Sequence, residues 1–189
     1  RLAGTVEKAQ GDTVETLRHS NQQISTDANL AALSKGAGHD FVHAELASEA
    51  LTHRSALDRR PELKAAFPNG NERLEFLGDR VLSLAMADLL LRRFPNEREG
   101  ELARRHAALV RAEALVEIAT EIGLGSHLRL GDSERTPGSS VRPNILADAL
   151  EALLGAIFLD AGLEVAAASV ALLWGDRLSS RVAVPRDPK

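Results

Sequence analysis

The segment ILADALEALLGAIFL (145–159) constrains this chain more than any other. At about 100° per residue its apolar side chains surround the whole helix. A helix that is apolar on every side belongs inside a folded core. Only Asp148 and Glu151 carry charge within it. Burying an ionised carboxylate is expensive unless it is paired or bound to a metal. Being i,i+3 neighbours, the two project from one helix face. They point either to salt bridges with buried arginines or to a cation site.

The segment NERLEFLGDRVLSLAMADLLLRRF (71–94) repeats the anomaly. Glu72, Glu75 and Asp79 fall within about 60° of one another on a helix, where like charges repel. Leu74, Leu77, Val81, Leu84 and Ala85 make the expected core-facing side, and Arg73 and Arg80 project away from the acidic stripe. Such a stripe alone is often a solvated face. Two acidic helices that meet, however, make an all-oxygen site, which suits Mg²⁺ or Mn²⁺ rather than Zn²⁺ or copper.

The rest of the chain predicts more helices. Phe41–Ala56 is helix-like. Residues 58–70 read as a loop with one helical turn. Asn71 is placed to cap a helix that Pro95 stops at Phe94. Further helices are expected over Glu101–Ile122, over Asn144–Asp160 closed by Gly162, and over Leu163–Leu178, with a long Gly/Ser/Pro-rich loop at 125–143. Aromatics make up only 3% of the sequence, and no segment alternates as a strand does. The fold class is therefore all-α, a helical bundle. Residues 1–38 read as a polar extension, 39–180 as one domain and 181–189 as a linker. With no Cys, thiolate metal sites are excluded, and a reducing cytoplasm fits. No apolar run reaches the roughly 18–20 residues of a membrane helix, so no span is expected. The net charge of −4 argues mildly against nucleic-acid binding, unless bound cations neutralise clustered carboxylates.

NERLEFLGD (71–79) closely resembles the signature of the ribonuclease III family. LTHRSA (51–56), FPNEREGELARRHAALVR (94–111), LRLGDSE (128–134) and NILADALEALLGAIFLDAG (144–162) resemble its other characteristic stretches, in the same order. The resemblance spans about residues 40–180. It implies an all-α catalytic domain that dimerises with a second copy and cuts double-stranded RNA with Mg²⁺, for which Mn²⁺ can substitute, leaving 5′-phosphate and 3′-hydroxyl ends. It further implies metal-binding carboxylates at Glu75, Asp79, Asp148 and Glu151, with Asp79 and Glu151 essential to the chemistry. Glu72 and Glu99 become accessory acidic residues, and Phe76 an aromatic inserted into the partner subunit. RDPK (186–189) resembles the start of a double-stranded-RNA-binding domain, so the sequence reads as stopping before one.

Other features take plainer readings. Arg104, Arg105, His106 and Arg111 form a basic patch, with Arg92 and Arg93 a second. Of these, Arg111 is the expected contact to an RNA phosphate. His53 and Arg54 are expected to serve structure, and Trp174 the core. His39–Asp40 lacks the partner ligands of a His/Asp metal site. A non-catalytic RNA-binding relative is the competing function, and it has no reason to keep buried Asp148 and Glu151. A carboxylate di-metal oxidoreductase is expected to carry Glu-x-x-His pairs, which this sequence lacks.

Overall fold

A computed structural model describes residues 33–134 and 141–180. The chain divides into a unit Arg1–Ala32, which lies outside the described residues, and a unit Leu33–Lys189. The expected linker at 181–189 also lies outside them. Leu33 and Ala37 are fully buried in the core, so packing begins before residue 39.

Helices follow one another as α1 (Ala44–Ala50), α2 (Pro61–Ala66), α3 (Glu72–Arg93), α4 (Glu99–Leu109), α5 (Ala112–Glu121), α6 (Pro143–Trp174) and α7 (Arg177–Ser180). Short 3₁₀ turns lie at Arg54–Ala56, Leu124–Ser126 and Asp132–Glu134. Among the described residues there is no strand, and Thr52 and Arg129 form an isolated parallel bridge. The all-α expectation holds.

The bundle centres on α3 packed against α6. α3 carries Glu72 and Glu75 in its first turn and Arg92 and Arg93 in its last, both favourable to the helix dipole. Pro143 opens α6, where its missing N–H costs nothing. From Ile145 to Ile157 nearly every residue of α6 is buried. α6 is long and apolar enough to cross a membrane by length and composition alone, contrary to expectation. It is nevertheless broken at Gly162 (φ 84°, ψ 178°), where the sequence predicted a stop.

Several boundaries differ from expectation for visible reasons. The helix expected over 101–122 is two, because Arg111 is extended (φ −68°, ψ 154°). The break frees the Leu109 carbonyl, which accepts the buried Trp174 indole N–H at 2.9 Å. The helix expected over 41–56 is confined to α1, because Leu51–His53 leave it to pair with Arg129. Asn71 does not cap α3 with its side chain. It is buried and donates to the Ala50 carbonyl at 3.3 Å, tying α1 to the start of α3.

The core face of α3 is also rotated from the expected one. Leu74, Gly78, Val81, Leu82, Ala85 and Met86 are buried, while Leu84 is 56% exposed. Gly78 sits in the middle of this face, because α3 and α6 touch there through their backbones.

Candidate metal centre

That contact builds the site. A Cβ added to Gly78 would lie 1.7 Å from the Glu151 carbonyl oxygen, and one added to Gly155 would lie 2.3 Å from that of Leu74. Neither position accepts a side chain, so the two helices approach as closely as backbones can. Glu75 lies three residues before Gly78, and Glu151 four before Gly155. The crossing therefore brings α3's Glu75 to Asp148 and Glu151 of α6. Ligand oxygens of the three lie within 4.8 Å of one another, each residue half-buried.

The electrostatics match this crowding. Burial, followed by the Asp148 and Glu75 carboxylates, pushes Glu151 up to about 7, against the pull of Arg80. Burial, Asp148 and Glu72 raise Glu75. Burial raises Asp148, opposed by His53 only when that ring is protonated. Glu151 and Glu75 are destabilised by burial and acidic neighbours and Asp148 by burial, so a divalent cation among them relieves all three.

The remaining predicted residues are distributed unevenly. Asp79 is outside the converging trio. It is on the same stripe one turn beyond Glu75, 45% exposed and in contact with the Arg80 guanidinium. Arg80 thus reaches the acidic stripe that its helical angle directed it away from, because its long side chain folds back. It also stacks over the Phe76 ring, 5.2 Å from the centroid. Glu72 is exposed and pairs with Arg54 at 2.8 Å. Glu99 opens α4, exposed and outside the trio. Phe76 is 67% exposed and lines a groove with Glu72, Arg73, Leu77 and Leu159.

The basic patch on α4 is not one surface. Arg105 binds Glu97 through two nitrogens, at 2.5 and 2.6 Å, and stacks on Phe94. His106 Nε2 meets the Ser83 carbonyl at 3.0 Å. Both serve packing, which leaves Arg104 and Arg111 exposed. Arg111 lies 3.8 Å from Glu113.

Two constellations escaped the sequence reading. The Asp160 side chain is wholly buried and bound by His39 Nε2 at 2.7 Å, His43 Nδ1 at 2.8 Å and the Val42 and His43 amides. Burial alone would push the carboxyl's pKa up, but these bonds outweigh it and hold the carboxyl well below the usual range. This fastens residues 39–43 to α6. Arg129 is likewise sunk against α1, donating to the Ser48 carbonyl, Ser48 Oγ and Thr52 Oγ1 at 2.8–3.0 Å.

The Ribonuclease-III-like family pattern matches residues 43–174, more than half of the chain. The chain belongs to the ribonuclease III family. It is 46% identical over 160 residues to the Ribonuclease 3 of Dinoroseobacter shibae, a match covering 85% of this chain and 67% of that protein. It is 44% identical over 151 residues to that of Shewanella baltica, covering 80% and 62%. The nuclease domain of Campylobacter jejuni ribonuclease III superposes with a TM-score of 0.67 at 36% identity, over 77% of this chain and 94% of that one. The trio lies inside the matched segment.

Proposed function

We propose that this chain is a divalent-metal-dependent endoribonuclease that cuts double-stranded RNA, leaving 5′-phosphate and 3′-hydroxyl ends. The convergence of Glu75, Asp148 and Glu151 where α3 crosses α6 carries this reading. Mg²⁺ holds oxygens at about 2.1 Å, so oxygens across it stand roughly 4.2 Å apart. A trio within 4.8 Å needs only small side-chain adjustment to fit Mg²⁺, or Mn²⁺ in its place. Glu75, Asp148 and Glu151 would hold the ion, with Asp79 as a further oxygen. When bound, the ion supplies positive charge beside the scissile phosphate and acidifies the attacking water.

The chain's own residues do the rest. The Gly78–Gly155 contact fixes the spacing between Glu75 and Glu151, and half-burial limits solvent at the carboxylates. Glu72 adds negative charge beside Glu75, and Glu99 is assigned the same accessory role from the opening of α4. Recognition is of A-form shape and backbone rather than sequence, with exposed Arg111 as a phosphate contact. Phe76, exposed beside the site, docks onto a second copy in an isologous dimer. A second structure of the Campylobacter domain, concerned with flexibility in the region that forms its dimer, supports this. The cellular role is maturation of ribosomal, messenger or small RNA in the cytoplasm.

The test is cleavage of a plain RNA duplex in Mg²⁺, Ca²⁺ or chelator, followed by end analysis. Cutting in Mg²⁺ to 5′-phosphate ends is expected. Cutting in chelator, or 5′-hydroxyl ends, would overturn the proposal.

A further inference from the structure

His53 lies within electrostatic reach of Asp148, and the fold sets its tautomer. It caps the 3₁₀ turn Arg54–Ala56, its Nδ1 accepting the Ser55 N–H at 3.2 Å. The same nitrogen faces Ser55 Oγ at 2.8 Å. Ser55 Oγ in turn accepts the Gly131 N–H at 2.9 Å; because Nδ1 already accepts the Ser55 N–H and so carries no hydrogen, the hydroxyl is the donor in its contact with Nδ1. With two donors aimed at Nδ1, the ring proton sits on Nε2. Among the described residues no acceptor takes it.

The ring's mount is rigid. His53 N–H donates to the Arg129 carbonyl at 3.1 Å, beside the Thr52–Arg129 bridge. On the other side Gly70, with φ +58°, is so close that a Cβ there would lie 2.8 Å from the Thr52 carbonyl oxygen and the Arg54 amide nitrogen. Gly131 is equally tight, its Cβ position 2.6 Å from the Ser55 carbonyl oxygen. His53 is half-buried, and Glu134, Asp148, Arg54 and Glu72 all lie within electrostatic reach of it. A half-buried N–H donor within electrostatic reach of Asp148, a member of the trio, and without a protein partner among the described residues, matches an acceptor brought by the substrate.

We propose that His53 is a substrate-contacting residue, its neutral imidazole donating Nε2–H to a backbone oxygen of the RNA bound at the carboxylate trio. This rests on the ribonuclease reading above. The acceptor is a phosphate oxygen or a ribose 2′-hydroxyl. The ring is held by Ser55 and Gly131, so the donor is in place before RNA arrives.

Two substitutions separate this role from capping. In His53→Asn the amide oxygen replaces Nδ1 and keeps the Ser55 cap, but the Nε2 donor is gone. In His53→Gln the amide nitrogen reaches the Nε2 position. For His53→Asn we expect an unchanged thermal midpoint and unchanged Mn²⁺ binding by calorimetry, with kcat/KM on an RNA duplex down about 10- to 100-fold for a charged phosphate acceptor, or roughly 3- to 10-fold for a neutral 2′-hydroxyl. Binding of uncut duplex in Ca²⁺ should weaken in parallel, and His53→Gln should recover part of both. If 2′-deoxy riboses around the cut abolish the difference between wild type and His53→Asn, the acceptor is the 2′-hydroxyl. If the difference persists, it is phosphate. His53→Asn that cuts and binds like wild type reduces His53 to a cap and overturns the proposal. Should wild type bind duplex without cutting it, the ribonuclease reading fails while weaker binding by His53→Asn still upholds the contact. Equal binding, or none by either protein, overturns both.

Discussion

Glu151→Gln tests the electrostatics of the site without reference to its chemistry. The Glu151 carboxyl moves from an ordinary 4.5 to about 7 on folding, by burial first and then by Asp148 and Glu75. At about 1.4 kcal/mol per pH unit this corresponds to roughly 3 kcal/mol. Water reaches the half-exposed group and screens that to about 1–2 kcal/mol. The sign follows from the raised value. Below pH 4.5 the carboxyl is neutral in folded and unfolded chains, and nothing is lost. As pH rises from 4.5 through 7 the unfolded chain ionises freely while the folded one resists, so wild-type stability falls. Gln stays neutral throughout. In chelator at pH 8 the variant should therefore be the more stable by about 1–2 kcal/mol, or roughly 3–6 °C in a domain of this size. At pH 4 the two should melt together. Mg²⁺ should then raise the wild-type midpoint through binding to the folded state and leave the variant nearly unmoved. Thermal melts followed by circular dichroism at both pH values suffice. A variant less stable than wild type at pH 8 in chelator, or a difference that ignores pH, would refute the reasoning.

Gly78→Ala should destabilise the fold by more than the about 1–3 kcal/mol of ordinary overpacking, because the new methyl meets the Glu151 backbone, and cleavage should vanish with it; denaturant melts check the first and duplex RNA the second. Phe76→Ala removes an exposed side chain, so monomer stability should change by less than about 0.5 kcal/mol, while sedimentation should show loss of the dimer. Asp79→Asn should abolish cleavage with the helical spectrum unchanged, and a variant that still cuts removes Asp79 from the chemistry.

Charge against apolarity made most of the site legible in the sequence. Asp148 and Glu151 stand out because nothing else on 145–159 is charged, and Glu75 stands out as part of a stripe. What hydropathy could not show was where the helices touch. Gly78 carries no side chain and so adds nothing to an apolar pattern, yet it is the centre of α3's buried face. Leu84 pulled the expected face the wrong way. Correctly rotated, the helix turns Glu75 inward and leaves Phe76 and Glu72 exposed. The glycines of LEFLGD and EALLGA, each a turn from a carboxylate, were the available signal. The His39–His43–Asp160 knot and the Arg129 anchor join residues 121 and 77–81 positions apart. No local pattern encodes such pairings. The break at Arg111 is similar, since its freed Leu109 carbonyl is satisfied by an indole 65 residues away.

The proposed activity depends on a divalent cation held among the oxygens of Glu75, Asp148 and Glu151. An anomalous difference map from crystals soaked in Mn²⁺ tests it most directly. The account predicts a peak within coordination distance, about 2.2 Å, of an oxygen from each of the three residues, and no such peak in Glu151→Gln crystals. A fully soaked wild-type crystal with no peak between α3 and α6, or a peak held by other residues alone, would contradict it.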